Sequence, residues 1–99
     1  MLTRKMIEDY IRPVATKYPV KKVILFGSYA RGESSENSDI DLIIDSGGVL
    51  TGMNFFSLVY DINEVFPVRA DVFEMREIKV PSLFYDNIVK EGVVIYAEQ

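Results

Sequence analysis

Between Phe26 and Leu42 the chain reads FGSYARGESSENSDIDL. An apolar run, Val23-Ile24-Leu25-Phe26, stops at a Gly-Ser pair. Ten residues separate Ser28 from Asp39, and one isoleucine separates Asp39 from Asp41. In an extended segment both aspartates project from one face, roughly 7 Å apart along the strand. Burying a bare carboxylate is very costly, so that face must meet water or a cation. Ile40, Leu42 and Ile44 alternate with the acids and share the other face, which needs a covering layer. The segment therefore demands a sheet with an aliphatic side packed on helices and an acidic side left open.

The rest of the chain supplies the layers. Residues 3–18 carry Met6, Ile7, Tyr10, Ile11, Val14 and Tyr18 at a spacing of three to four, the mark of an amphipathic helix. Thr3 is a candidate N-cap. Pro13 breaks one helical hydrogen bond, so a kink near Arg12 or a division into two short helices is expected. Residues 21–26 read as a strand buried on both faces. Residues 28–31 open a short helix that Gly32 stops, and 33–38 are loop. Residues 39–45 form the second strand. Residues 46–53, with Gly47, Gly48 and Gly52, lack the spacing of phosphate-binding glycine loops and read as a flexible connection. Residues 54–66 form a second long helix whose stripe is Phe55, Phe56, Val59, Ile62, Val65 and Phe66. A third strand spans 68–75, with Arg69, Asp71 and Phe73 opposite Val68, Ala70 and Val72. A last helix spans 81–91, with Leu83, Phe84, Ile88 and Val89 as its apolar positions and Gly92 as its stop. Residues 93–96 form an edge strand. The order α-β-α-β-α-β-α-β predicts a small mixed α+β fold of about four strands, with helices mainly on one face and one domain over residues 1–99.

Composition narrows the chemistry. The chain has neither histidine nor cysteine. Ser-His and Cys-His nucleophile pairs, thiolate metal sites and disulfides are excluded, and the usual ligands of zinc are missing. Carboxylates, hydroxyls, lysine, arginine and oxygen-bound metal remain. The net charge of −4 argues against a nucleic-acid partner, which usually meets a basic patch. No apolar run reaches the ~18 residues of a membrane span, so no membrane partner is expected. A cytoplasmic location is expected.

Asp71 is a candidate third carboxylate if the third strand pairs beside the second. Two like charges ~4 Å apart repel by about 1 kcal/mol in water and about 4 kcal/mol at an effective dielectric of ~20. Three acids in one cleft call for protonation or a cation, and hard oxygen ligands suit Mg²⁺ or Mn²⁺. At the other end, a helix starting at Ser28 presents free N–H groups to an anion. Gly27, lacking a Cβ, lets a phosphate chain approach the backbone. Arg31 either contacts phosphate or braces the loop by pairing with Asp39, Glu33 or Glu36. Ser38 is either a ligand or a turn residue. Arg69 either tempers Asp71 or meets substrate, and Tyr29 reads as packing.

Gly-Ser, ten residues and Asp-x-Asp, within Phe26-Gly27-Ser28-x-Ala30-Arg31-Gly32 and Ser38-Asp39-Ile40-Asp41-Leu42, resemble the signature of the polymerase β-like nucleotidyltransferases. The chain looks most like their minimal prokaryotic members, down to the closing Lys90-Glu91-Gly92-Val93. The resemblance implies that Asp39, Asp41 and Asp71 bind one or two metal ions and that Asp71 helps to activate an acceptor hydroxyl. It implies that Gly27 and Ser28 hold the triphosphate, and Arg31 and Ser38 stand beside them as candidate nucleotide contacts. It further implies transfer of AMP from ATP to a tyrosine of a partner HEPN-type toxin, which makes the chain a type VII-like antitoxin. Larger relatives carry a helical domain for the acceptor, whereas here the core uses almost all ninety-nine residues, so the acceptor is expected to dock from outside. Two alternatives stay open: a binding antitoxin that occludes its toxin with little or no catalysis, and a transferase acting on a small molecule such as an aminoglycoside.

Overall fold

The computed structural model describes residues 2–35 and 37–98. Helix α1 spans Arg4–Ala15, and the Thr3 side chain accepts a hydrogen bond from the Met6 amide at 3.1 Å, as an N-cap does. It runs as one helix through Pro13, not as two short ones, and ends three residues before the expected Tyr18. Pro13 sits in the last turn, where its missing N–H removes a single helical hydrogen bond and the helix ends two residues later. Strand β1, Lys22–Phe26, leads directly into the short helix α2, Gly27–Arg31. Gly32 ends α2 in the left-handed conformation, φ 73°. Strand β2 is Ile40–Asp45, and helix α3 is Gly52–Val65. The helix thus takes in Gly52 and Met53, which the glycine spacing had assigned to the preceding loop. Strand β3 is Ala70–Glu74, followed by a single 3-10 turn at Met75–Glu77. Helix α4 is Leu83–Glu91, capped by the Ser82 hydroxyl, which accepts from the Tyr85 amide, so Pro81 lies before the helix and not in its first turn. Strand β4, Val93–Ala97, completes the chain.

The four strands form one mixed sheet in the order β3-β2-β1-β4. β1 is antiparallel to β2 and β4, while β2 and β3 are parallel. The expected edge position of the last strand is therefore found. One face carries Val23, Leu25, Ile40, Leu42, Ile44, Ala70 and Ile95, and α1 and α3 bury it through Ile7, Ile11, Val14, Leu58 and Ile62. This is the larger core, and it contains the aliphatic positions of β2 that the alternation assigned to it.

The acidic face is covered in part. Ile24 and Ile43 lie on it and are buried against Ile78 and Ile88, with Phe26, Met75 and Tyr85 alongside. Helix α4 and the 3-10 turn thus close the middle of the face that was expected to stay open. Its end nearest Gly27 is left to the acids.

Two helical stripes differ from expectation. In α3 the buried residues are Leu58 and Ile62, whereas Phe56 is 70% exposed and Val65 also faces solvent. In α4 only Ile88 is buried, and Leu83 is 80% exposed, with Val89 outward as well. Each helix has more apolar residues than one face can bury, so spacing alone left the register of the buried stripe undetermined.

Candidate active site

The register of the sheet assembles the site. Phe26 of β1 lies opposite Asp41 of β2, and Asp41 lies opposite Asp71 of β3. The pairing of β2 with β3 begins where the Ile40 amide donates to the Arg69 carbonyl at 2.9 Å. Asp39, one residue before β2, is exposed at the mouth of the same face. The two carboxylates that the sequence placed on separate strands therefore share one row of the sheet.

Asp41 is half-buried. Burial first, then the charges of Asp71 and Asp39, push its carboxyl up from the ordinary carboxylate value, while Arg31 acts in the opposite sense. Asp71 and Asp39 are thus both within electrostatic reach of Asp41. Asp71 is held by Arg69, whose guanidinium Nη2 lies 3.0 Å from Asp71 Oδ1. Among the described residues no three acidic side chains are gathered closely enough to form a ready-made metal cage. Mg²⁺ typically takes one or two carboxylates and completes its shell with water and substrate phosphate oxygens. The donor set of Asp41 and Asp71, with Asp39 at the mouth, suits a hard divalent ion of that kind.

The start of β3 is fixed by Asn63 of α3. Its side-chain oxygen accepts from the Ala70 amide at 2.9 Å, and its amide nitrogen donates to the Ala70 carbonyl at 3.2 Å. Asn63 is the residue the sequence reading passed over. An asparagine on a helix seven residues before a strand has no signal of its own until the helix and strand are seen side by side.

The glycine-serine turn meets the acids directly. Gly27 has φ 74°, and a Cβ placed on it would strike Asp41 Oδ2 and lie 3.2 Å from Asp41 Cγ. The first-turn amides of α2, which have no intrahelical acceptor, open beside that carboxylate. Tyr29 is buried in the larger core, as expected of a packing residue.

The flanking residues serve as braces. Arg31 Nε lies 3.0 Å from Glu33 and Nη1 3.3 Å from Glu91, which ties α2 to its following loop and to α4. Glu33 was one expected partner; Glu91 was not foreseen, and Asp39 is not a partner of this guanidinium. Glu36, also considered, lies outside the described residues. Ser38 Oγ accepts from the Ser35 amide at 2.8 Å and lies 3.2 Å from Ser35 Oγ, the geometry of a turn residue.

A helix-starting Gly-Ser turn set against facing carboxylates on parallel strands defines a nucleotidyltransferase core. The family model described as "Polymerase beta, Nucleotidyltransferase" matches residues 9–99. The chain belongs to that family. It is 36% identical over 87 residues to MJ0435 of Methanocaldococcus jannaschii, which carries a protein-adenylyltransferase name, covering 88% of this chain and 91% of that one. It is 28% identical over 99 residues to protein adenylyltransferase MntA of Thermococcus cleftensis, covering 96% and 98%. Among solved structures it resembles a chain of a toxin-antitoxin crystal structure with AMP-PNP, at TM-score 0.77, 21% identity and coverage of 93% and 74%. It also resembles a chain of the complex of tri-AMPylated Shewanella oneidensis HEPN toxin with MNT antitoxin, at TM-score 0.73, 17% identity and coverage of 98% and 75%. The last two likenesses concern the fold. Members of this family act on nucleoside triphosphates with a divalent metal ion. Among the described residues no helix is long and apolar enough to cross a membrane.

Proposed function

We propose that the chain is a Mg²⁺-dependent adenylyltransferase that moves AMP from ATP to a hydroxyl, a tyrosine in our reading, of a partner HEPN-type toxin, and so acts as an antitoxin. The observation that carries this reading is the direct pairing of Asp41 with Asp71 beside the Gly27-Ser28 turn. The protein-adenylyltransferase names of its relatives support protein as the acceptor class.

In this reading Gly27 and Ser28 receive the outer phosphates, and the α-phosphate lies over Asp41. Asp39, Asp41 and Asp71 would hold one or two Mg²⁺ ions, with Mn²⁺ as a substitute. When bound, the metal supplies positive charge that offsets the phosphate oxygens and makes the acceptor hydroxyl more acidic. Asp71 accepts the proton of that hydroxyl. The acceptor oxygen bonds to the α-phosphorus, the bond to the bridging α–β oxygen breaks, and pyrophosphate leaves. The raised proton affinity of Asp41 in the free protein fits a site that is completed by a cation.

The test is incubation with labelled ATP, Mg²⁺ and the product of the neighbouring gene. Label is expected on that product, and none after Asp39→Asn/Asp41→Asn. A folded sample that transfers no label overturns the reading. Full neutralisation of the toxin by the double variant would show that binding alone suffices.

A further inference from the structure

Three phenylalanines flank the acid row in a way the reaction above does not use. Phe26, Phe73 and Phe84 touch one another pairwise, with ring centroids 6.1 Å apart for Phe26–Phe73, 5.5 Å for Phe26–Phe84 and 5.8 Å for Phe73–Phe84. The ring planes cross at 56–72°, tilted or edge-on. Such contacts favour the pairs and fix the rings. Phe26 packs against Ile24, Ile43, Ile78 and Ile88. Yet Phe73 remains 40% exposed and Phe84 38% exposed.

Their place in the sheet is specific. Phe26 shares the row of Asp41 and Asp71, and Phe73 shares the next face row with Ile24 and Ile43. Phe73 is two residues beyond Asp71 on the same face of β3, roughly 6.6 Å along the strand. Phe84 reaches the cluster from the first turn of α4. A second exposed apolar group, Met53, Phe56 and Tyr60, lies on α3, which packs on the opposite face of the sheet.

We propose that Phe73 and Phe84, backed by Phe26, form the platform on which the base of the bound nucleoside triphosphate stacks. The inference rests on the function proposed above, because it needs the α-phosphate to lie at Asp41 and Asp71. With the phosphates directed toward Gly27 and Ser28, the ribose and base leave the α-phosphate on the other side. A rigid aromatic surface one ribose away from that phosphate is at the right remove for a base. Rings of this kind recognise the π-face that every base has, so the platform holds the base without reading its edge.

The test measures binding of ATP and of inorganic tripolyphosphate, each with Mg²⁺ and without any acceptor protein. The variants are Phe73→Leu and Phe73→Leu/Phe84→Leu, which keep apolar bulk and lose the rings, with circular dichroism to verify the fold. ATP affinity is expected to fall about 5- to 10-fold while tripolyphosphate affinity stays unchanged. Equal ATP affinity in wild type and variants overturns the platform, as does an equal fall for both ligands. Unchanged ATP affinity with slower transfer to the partner also overturns it, and assigns the rings to the acceptor instead. A wild-type protein that binds neither ligand overturns the proposed function as well, whereas one that binds both with no effect of the variants overturns the platform alone.

Discussion

Gly27 and Asp41 occupy space that only a residue without a side chain can share. A Cβ at position 27 would collide with the Asp41 carboxylate, and the backbone there has φ 74°. Both constraints act on one substitution. Gly27→Ala is expected to destabilise the fold by about 1–2 kcal/mol, because an L-residue is forced into the left-handed region. It is also expected to reduce transfer activity at least about 100-fold, because the alanine methyl displaces the carboxylate from the acid row. Thermal unfolding and single-turnover transfer measured side by side check this. Full activity in a folded Gly27→Ala protein would contradict the contact.

Asp41 carries an electrostatic load in the metal-free protein. Its carboxyl is pushed upward by burial and by Asp71 and Asp39. A raised carboxyl favours the protonated form in the folded state, so the ionised group lowers stability above its folded pKa, and the load is relieved as pH falls through that value. Asp41→Asn is therefore expected to unfold a few degrees higher than wild type at pH 7 in chelator. The advantage is expected to vanish at acid pH and to shrink on addition of Mg²⁺, which stabilises only the wild type. Calorimetric scans across pH, with and without Mg²⁺, provide the measurement.

Arg69 holds the carboxylate that a divalent ion needs. The pair is at 3.0 Å, and the arginine is largely exposed. Exposed pairs contribute roughly 0–1 kcal/mol, so the competition is weak. Arg69→Ala is expected to lower the Mg²⁺ concentration for half-maximal activity by up to about 5-fold. A rise in that concentration would mean that Arg69 assists substrate rather than restraining Asp71.

A second electrostatic contact lies far from the acids. The Tyr18 hydroxyl, just after α1, donates to Asp61 Oδ2 on α3. That hydrogen bond, then burial, raises the Tyr18 phenol above its ordinary value. The stabilising form is the neutral phenol, so its contribution is complete below the ordinary tyrosine range and is lost as pH rises through the folded pKa. Tyr18→Phe is expected to cost no more than about 1 kcal/mol at pH 7. The difference between wild type and variant should begin to shrink once pH passes the ordinary tyrosine value near 10, and the two should converge as pH rises through the raised value of the folded state. Denaturant titrations at pH 7, 9 and 11 would show the convergence or its absence.

The parts of the fold that were legible are those in which polar and apolar residues compete for a face. In β2 the alternation of Ile40, Leu42 and Ile44 with aspartates leaves a single arrangement, and the structure has it. In β1 the uninterrupted run requires burial on both faces, and Val23 and Ile24 enter opposite clusters. The helices were less legible because their surplus apolar residues satisfy several stripes equally; Leu58, and not Phe56, is the buried residue of α3. At the site, Asp71 could be read only as a candidate, since nothing local states which strand neighbours which. The parallel pairing with β2 is a long-range fact, and so are the Glu91 brace on Arg31 and the tether from Asn63.

That tether yields the sharpest separation of position from chemistry. Asn63 touches no acid, yet it holds the backbone of Ala70, the residue before Asp71. The Ala70 amide is in a buried residue, and losing its acceptor costs about 1–3 kcal/mol. Asn63→Ala should therefore lower stability by that amount and allow the start of β3 to drift from β2. Asn63→Asp keeps the acceptor for the Ala70 amide and loses the donor to the Ala70 and Val59 carbonyls, so it should recover part of the stability. If the tether positions Asp71, the maximal transfer rate should follow the same order, wild type above Asn63→Asp above Asn63→Ala, with the KM for ATP little changed because Gly27 and Ser28 are untouched. Rates measured well below each variant's unfolding temperature separate this from simple loss of folded protein. Equal rates in all three would leave Asn63 as a stabilising residue with no part in placing Asp71.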